Sequence, residues 1–221
     1  MSTQEPHPSG TVVLVRDGRQ LEVLLLARAR RRSEGPAAWV FPGGKVEPAD
    51  RAGDPLEDAR HAAVREAREE AGLVLAPQAL RPISRWITPD ISPRRFDTWF
   101  FLAAADTDTP VRVDGVEIAE HRWFAPAEAL RAHHAREILL APPTFVTVTW
   151  LNEHRGAAGA LEALGAAEPL TFRPQIHRQE AGACILYPGD AGYESGDPER
   201  AGPRHRLWAL AEGYRYERRD L

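Results

Sequence analysis

Cysteine is nearly absent from this sequence, with Cys184 alone among 221 residues. A single thiol cannot form an intramolecular disulfide, so a disulfide-stabilised secreted scaffold and a zinc site built from several cysteines are both excluded. The chain also lacks any apolar run near the roughly 20 residues that a membrane-spanning helix needs. Its first ten residues are polar and proline-rich, without the apolar segment of a signal peptide. These absences predict a cytoplasmic protein with no membrane partner.

An excess of one charge is missing as well. The chain has 28 Lys and Arg residues against 32 Asp and Glu residues, a formal net charge of -4. This balance gives no general attraction to nucleic acid, and no nucleic-acid partner is expected. A composition of 43% hydrophobic and 27% charged residues is instead typical of a soluble globular domain with a sizeable core.

Strand and helix patterns alternate along the chain. The apolar runs "TVVLV" and "LEVLLLA" flank Asp17-Gly18, a pair that predicts a hairpin. Further strands are predicted at "AAWVFPGG", "PISRWIT", "RRFDTWFFLAAA" and "EHRWFA", and a helix at "PAEALRAHH". The order predicts an α/β (α+β) fold with a mixed β-sheet packed against helices.

The predicted organisation is a single domain over residues 9–221 that follows a flexible N-terminus at residues 1–8. A helical segment is expected at about 126–165, with one helix across "PPTFVTVTWLNEHRGAAGALEAL" because Phe145, Val148 and Leu151 recur at helical spacing. A C-terminal extension of strands is expected at about 168–221.

The stretch "REAREEAGL", residues 65–73, lies in a helix whose two ends are marked by local signals. Asp54 and Pro55 are typical of a helix start, and Gly72 of a helix end, so the helix is predicted over about 55–71. At about 100° per residue, one side carries three carboxylates, and the opposite side carries small apolar residues that can pack on a sheet. The carboxylates are those of Glu66, Glu69 and Glu70, and the apolar residues are Leu56, Ala63, Ala67 and Ala71.

Like charges three and four residues apart destabilise a helix slightly, although Arg65 offsets part of this by reaching Glu69. The face is either an ordinary solvated surface or a site for a hard divalent cation, which prefers carboxylate oxygens. The preceding "FPGGK" favours a site, because Gly43 and Gly44 let the backbone approach a ligand closely.

These residues resemble the signature of the Nudix hydrolase family. Glu57, seven residues, and then the stretch from Arg65 to Leu73 match the second half of that signature. The glycines lie about seven residues too far from Glu57, and the extra length falls in the loop at 45–53, whose Glu47 and Asp50 are expected to be solvated. From about residue 9 to 190, including "YPGD", the chain is similar to the branch that contains the peroxisomal coenzyme A diphosphatase and its bacterial relatives.

The resemblance implies an α/β/α sandwich and hydrolysis of a diphosphate linked to another moiety, coenzyme A or acyl-coenzyme A. It implies Mg²⁺ or Mn²⁺ as cofactor, held by Glu66, Glu69, Glu70 and the Gly43 carbonyl, with Arg65 orienting the glutamates. Glu117 and Glu120 are the candidates for a general base outside the helix, and Glu120 occupies the place of an acidic ligand in relatives. Lys45, Arg94 and Arg95 are the expected substrate-binding residues, and relatives are often homodimers.

Other readings stay open at this point. The same signature serves hydrolases of ADP-ribose, nucleotide sugars and nucleoside triphosphates, as well as ligand-sensing domains without activity. Trp86 and Trp99 either stack on a base or pack in the core, and Glu57 is expected to cap the helix and pair with Arg65 or Arg68. A cluster of arginines after the second strand could hold a phosphate: Arg28, Arg30, Arg31 and Arg32. Four histidines are expected to be solvated: His121, His133, His134 and His154.

Overall fold

The computed structural model describes residues 5–29 and 36–219. Within these residues the chain forms thirteen β-strands and four α-helices. The strands are β1 His7–Asp17, β2 Leu21–Arg28, β3 Ala38–Val40, β4 Gly43–Lys45, β5 Arg81–Ile87, β6 Phe96–Ala104, β7 Ile118–Phe124, β8 Leu139–Leu140, β9 Leu170–Phe172, β10 Gln175–Gln179, β11 Gly182–Leu186, β12 Arg204–Leu210 and β13 Gly213–Arg219. The helices are α1 Pro55–Ala71, α2 Pro126–His134, α3 Pro142–Leu151 and α4 Ala157–Gly165. No helix in this part of the chain is both long and apolar enough to span a membrane.

The strands form a mixed sheet and a separate antiparallel sheet. In the mixed sheet the order is β8-β3-β2-β1-β6-β5-β9, with β4 also paired to β1 and β7 to β2. Strands β10 to β13 form the antiparallel sheet in sequence order. The mixed sheet confirms the α/β prediction, and the hairpin predicted at Asp17-Gly18 joins β1 to β2.

Strands β1 and β2 are buried on both faces, which explains their almost continuous apolar sequences. Side chains alternate along a strand, so Val12 and Leu14 pack under α1 while Val13 and Val15 join the larger core on the other side. Strand β1 begins at His7, so the ordered strand includes the last two residues of the N-terminus that was expected to be flexible.

Helix α1 has the predicted bounds and the predicted caps. The Asp54 carboxylate accepts hydrogen bonds from the backbone N–H groups of Leu56 and Glu57, and Gly72 adopts a left-handed conformation with φ 68°. Ala63 and Ala67 are completely buried against the mixed sheet. The alanine face of the helix therefore packs closely on the sheet, and Glu66 and Glu70 lie beside β4.

The single helix predicted across 142–164 was wrong. The segment forms α3 and α4, separated at residues 152–156. Gly156 is extended, with φ -153° and ψ 164°, and the Asp17 carboxylate accepts a hydrogen bond of 2.8 Å from the Ala157 backbone N–H. A side chain 140 residues away thus satisfies the start of α4, and the local periodicity could not reveal it.

One histidine expected to be solvated is buried. The His133 ring is 8% exposed, and its Nδ1 accepts a hydrogen bond of 3.1 Å from the Leu140 backbone N–H. Tyr214 of β13 and Phe145 of α3 pack against the ring. Burial lowers the pKa of His133 to about 4, so the ring is a neutral part of the core.

Candidate active site

Strand β4 and helix α1 meet at the two adjacent glycines. The Gly43 backbone N–H donates a hydrogen bond of 2.9 Å to Glu70 Oε2. A Cβ atom on Gly44 would lie 2.1 Å from Glu66 Oε1, and one on Gly43 would lie 2.6 Å from the Gly10 carbonyl oxygen. A side chain at position 43 would collide with the backbone of β1, whereas one at position 44 would displace the end of the Glu66 side chain. The two glycines thus let β4 pack closely on β1 and on helix α1.

A cavity of about 590 Å³ opens beside these glycines. Its wall combines carboxylates, two cations and several apolar or hydroxyl side chains. The charged lining residues are Arg28, Lys45, Glu47, Glu66, Glu70 and Glu117, and the others include Ser9, Thr11, Trp86, Thr88, Phe96, Thr98, Phe100 and Pro143. A cavity of this size can hold a small organic molecule with a charged group at the glutamates.

Burial raises the pKa values of the two cavity glutamates that belong to helix α1, Glu66 and Glu70. Removal from water raises the pKa of Glu70 to about 7, against the opposing effect of the Gly43 N–H group. Burial also raises the pKa of Glu66, although the neighbouring Arg65 opposes it. Buried carboxylates with raised pKa values are typical of functional sites, because their charge needs a partner that water no longer supplies.

Arg65 links the glutamates to the lengthened loop. Its Nη1 atom donates hydrogen bonds of 2.9 Å to Glu66 Oε1 and to Glu69 Oε2. The other side of the guanidinium donates to the Asp50 carboxylate at 3.1 to 3.3 Å and to the Lys45 carbonyl at 2.9 Å. The pairing of Arg65 with Glu69 agrees with the sequence prediction. The partnership with Asp50 was not foreseen.

Asp50 was expected to be a solvated loop residue, and that expectation was wrong. The residue is 4% exposed. Besides Arg65, its carboxylate accepts a hydrogen bond of 2.8 Å from the Glu47 backbone N–H, and its carbonyl oxygen lies 3.1 Å from His61 Nδ1. The buried Asp58 accepts hydrogen bonds from the backbone N–H groups of Ala52 and Gly53. The loop at 45–53 is thus fixed on α1.

Two acidic residues of α1 differ from their expected positions. Glu57 pairs with Arg60 at 3.1 Å, rather than with Arg65 or Arg68, and it lies outside the cavity. The Glu69 side chain is 57% exposed and contacts Arg65 without lining the cavity. The three carboxylates thus divide into Glu66 and Glu70 at the cavity and Glu69 at its outer side.

Of the two candidates for a general base, Glu117 lines the cavity and Glu120 does not. Glu120 is an exposed residue of β7 that pairs with Ala27, at a register irregularity between Ala27 and Arg28. Glu117 also contributes to the raised pKa of Glu70 through charge repulsion. Of the two candidates, the one that shares the cavity with Glu66 and Glu70 is therefore Glu117, on the loop that precedes β7.

The expected substrate-binding cations are distributed unevenly. Lys45 lines the cavity, whereas Arg94 and Arg95 do not. Arg95 forms an ion pair with Asp90 and donates to the Thr88 carbonyl. Arg28 lines the cavity and opposes the raised pKa of Glu70, so sequence reasoning undervalued it. The rest of its predicted cluster, at residues 30–32, lies outside the described residues.

The two tryptophans proposed for stacking have different surroundings. Trp86 is buried and stacks on Phe172 at 3.8 Å, yet one part of it lines the cavity. Trp99 does not line the cavity, and the Arg85 guanidinium lies 5.5 Å from its ring centre. Trp86 is thus both a core residue and a wall of the site.

The chemistry of the donors fits a hard divalent cation. Across residues 5–29 and 36–219, no group of three or more His, Cys, Asp or Glu side chains is arranged to enclose a metal ion as it stands. Glu66 and Glu70 nevertheless supply carboxylate oxygens to one cavity wall, beside the backbone of Gly43 and Gly44. Carboxylates with a few additional oxygen donors are the ligands that Mg²⁺ and Mn²⁺ prefer.

The fold and this cavity define an α/β protein with a glycine strand and an acidic helix at one carboxylate-lined site. A family model described as the NUDIX domain matches residues 6–141. The chain belongs to the Nudix family. It is 32% identical over 194 residues to human acyl-coenzyme A diphosphatase NUDT19, which covers 82% of this chain and 50% of that protein. The Xenopus laevis protein of the same name is 31% identical over 137 residues, covering 58% of this chain and 36% of the relative.

Solved structures share the fold. A NUDIX hydrolase from Alicyclobacillus acidocaldarius superposes with a TM-score of 0.66 at 24% identity, over 76% of this chain and all of that one. The NUDIX domain of Shewanella oneidensis NrtR, solved with ADP ribose, gives a TM-score of 0.51 at 15% identity, over 66% of this chain and 86% of that one. The chain spans about half the length, or less, of the NUDT19 proteins that it matches.

Proposed function

We propose that this protein is a divalent-metal-dependent diphosphatase that cleaves a diphosphate linked to another moiety, with coenzyme A or acyl-coenzyme A as substrate. The main observation behind the proposal is that two carboxylates, the partly buried Glu66 and the buried Glu70, share one cavity with Arg28 and Lys45. The two cations are needed because a diphosphate is anionic, and the two carboxylates are needed to hold the metal ion. The similarity to acyl-coenzyme A diphosphatases supports the choice of substrate.

Glu66 and Glu70 would hold Mg²⁺ or Mn²⁺, with the Gly43 carbonyl as a further donor. The bound cation would neutralise the diphosphate oxygens and lower the pKa of a water molecule. Arg28 and Lys45 are assigned to the phosphate groups, since both line the cavity. Glu69 is assigned to positioning Arg65, because its side chain is exposed and contacts that guanidinium.

Hydrolysis adds a water oxygen to one phosphorus atom and breaks the P–O–P bridge. The attacking water loses a proton, which Glu117 is assigned to accept. Two cavity carboxylates, Glu47 and Glu117, lie outside the helix, and of these Glu117 is the one whose charge acts on Glu70. The departing phosphate carries away the bridging oxygen, and each product then carries a phosphate monoester where the bridge was. With coenzyme A these are adenosine 3′,5′-bisphosphate and 4′-phosphopantetheine.

A substrate panel tests this assignment. Coenzyme A, acyl-coenzyme A, ADP-ribose, a nucleotide sugar and a nucleoside triphosphate are each incubated with Mg²⁺ or Mn²⁺, and products are identified by mass. We expect adenosine 3′,5′-bisphosphate from the first two, and no product when a chelator removes the metal. Activity confined to ADP-ribose would overturn the substrate assignment, and an absence of turnover with every compound would favour a ligand-sensing domain.

Replacing Asp50 tests whether the lengthened loop positions the metal-binding glutamates. Asp50→Ala removes the carboxylate that accepts hydrogen bonds from Nε and Nη2 of Arg65. Loss of such an outer partner typically lowers metal affinity or activity about 10-fold to 100-fold, and we expect a decrease in kcat/KM of that size. The readout is kcat/KM together with the Mn²⁺ dissociation constant of the same preparation.

The control is Arg51→Ala in the same loop. Arg51 pairs with Asp58, has a 57% exposed side chain and does not contact Arg65. The Asp58 carboxylate keeps its hydrogen bonds from the Ala52 and Gly53 backbone N–H groups in this variant, so the variant is expected to retain its activity and its metal affinity. Equal behaviour of the two variants would contradict a positioning role for Asp50.

A further inference from the structure

A second, smaller cavity adjoins the carboxylate cavity. It has a volume of about 220 Å³ and shares Trp86, Thr88 and Pro143 with the larger cavity. We call it the apolar annex. Its remaining wall comes from the end of β5, the start of α3 and the antiparallel sheet, through Ile87, Pro89, Pro142, Pro174, Ile176, Ile185 and Tyr187. The annex therefore lies where the C-terminal extension meets the Nudix domain.

The two cavities differ in charge. Among the residues that the structure describes, none in the wall of the annex is charged, whereas six charged residues line the neighbouring cavity. Ile176 is 44% exposed on the annex wall, which makes it one of the few large apolar side chains at the surface of the described residues. A ligand that occupies both cavities is expected to be charged at one end and apolar at the other.

The ring of Tyr187 completes the apolar wall of the annex. The residue is completely buried, and its hydroxyl, which forms no hydrogen bond within the described part of the chain, has almost no accessible surface. The annex therefore offers a ligand the aromatic ring rather than the hydroxyl. An apolar chain matches this wall.

We infer that the annex binds the acyl chain of an acyl thioester, and that it gives the enzyme a preference for acyl-coenzyme A over free coenzyme A. The inference rests on the proposed diphosphatase function. ADP-ribose and nucleotide sugars are polar at both ends and leave the annex unfilled, so they gain nothing from it. The antiparallel sheet acquires a role in specificity, because β10 and β11 supply Ile176 and Ile185.

Chain-length dependence tests the inference. We measure kcat/KM for coenzyme A and for its acetyl, butanoyl, hexanoyl and octanoyl thioesters. Burial of a methylene group in an apolar site increases affinity by at most roughly fourfold, so kcat/KM should rise by up to that factor per methylene and level off when the annex is full. Equal values across the series would overturn the inference.

Two surface variants locate the effect. Ile176→Glu places a charge in the annex wall at an exposed position, and Val74→Glu makes the same change at a residue that is 88% exposed and lines neither cavity. We expect Ile176→Glu to lower kcat/KM for the octanoyl thioester at least about tenfold and to leave free coenzyme A within about twofold, because only the acyl chain contacts the annex. Val74→Glu should change neither value. Equal losses on both substrates, or equal behaviour of the two variants, would contradict an acyl site.

A binding measurement separates this inference from the proposed function. Dissociation constants for the same series are measured by calorimetry with the metal-free protein, in which no turnover occurs. Tighter binding of longer thioesters, lost in Ile176→Glu, would support the annex even if no substrate were hydrolysed. Dissociation constants that do not depend on the length of the acyl chain would contradict the inference even if the diphosphatase activity were established.

Discussion

Glu70→Gln is expected to lower kcat/KM for the diphosphate substrate by more than about 100-fold, because removal of a direct metal ligand should cost more than removal of an outer partner. Glutamine keeps the shape of the side chain and can still accept the Gly43 hydrogen bond, so the fold should persist. Steady-state kinetics with Mg²⁺ and Mn²⁺ gives the activity, and circular dichroism checks the fold. Glu66→Gln should behave alike, since both carboxylates line the cavity.

The stability of metal-free Glu70→Gln gives an independent readout. The folded pKa of Glu70 is about 7, above its ordinary value of 4.5, so the folded protein favours the protonated carboxyl. The stabilising contribution of that proton is complete below about pH 4.5 and is lost as the pH rises through 7. Glutamine does not titrate, so the stability of the variant does not fall in this way as the pH rises. Its free energy of unfolding should exceed that of the wild type increasingly over this window, which urea titrations at several pH values would measure.

Glu57→Gln is the matched control for these variants. It removes a carboxylate from the same helix, at a residue that pairs with Arg60 outside the cavity. Its activity and pH profile should match the wild type. A folded Glu70→Gln protein that keeps more than about a tenth of the wild-type kcat/KM would remove Glu70 from the proposed metal site, because an outer partner alone typically contributes that much.

Asp190→Ala is expected to reduce the free energy of unfolding by about 3 to 5 kcal/mol, because it leaves a buried arginine without its counter-charge. Both Asp190 and Arg206 have almost completely buried side chains, and the guanidinium donates to the carboxylate at 2.6 and 2.7 Å. The carboxylate also accepts hydrogen bonds of 2.8 Å from the Gly192 and His205 backbone N–H groups. Urea denaturation followed by tryptophan fluorescence would measure the loss.

The pH dependence of the same ion pair can be stated in advance. Burial by itself would raise the pKa of Asp190, but the hydrogen bonds from Arg206 and from the backbone hold it below its ordinary value. The contribution of Asp190 to stability is therefore present above pH 3.8 and is lost as the pH falls through the lower folded pKa. Asp190→Ala should lack this acid-dependent component.

Two comparisons make the result specific. Glu128→Gln breaks the solvent-exposed pair with Arg122 and should cost less than about 1 kcal/mol. The double variant Asp190→Ala with Arg206→Met removes both buried charges and should recover much of the loss, because the cost comes from an uncompensated charge. A loss of stability for Asp190→Ala no larger than that for Glu128→Gln would contradict the prediction that an unpaired, buried Arg206 destabilises the protein.

The lengthened loop illustrates a limit of sequence reasoning at the site. Asp50 looked like a solvated residue because its neighbours are polar and turn-forming. It is buried because Arg65, fifteen positions later, and the Glu47 backbone N–H both donate to it. A pairing of this kind depends on the path of the loop across α1. Residue type and local pattern do not contain that path.

The sequence alone determined the elements whose signals are local. Helix α1 begins and ends where Asp54 and Gly72 place it, and the first hairpin turns at Asp17-Gly18, because caps and turns depend on residues within one or two turns of the chain. The spacing from Glu57 to Gly72 also sufficed to recognise the family, since that spacing is set by the geometry of one helix.

Tertiary structure decided the features that join distant residues. Asp17 accepts a hydrogen bond at the start of α4, β13 and α3 cover His133, and Glu117 rather than Glu120 lines the cavity. Glu117 lies on the loop before β7 and Glu120 within the strand, so the choice between them depends on the tertiary position of that loop. The apolar annex likewise exists only where the C-terminal sheet packs against the Nudix domain, because each of its walls comes from a different part of the chain.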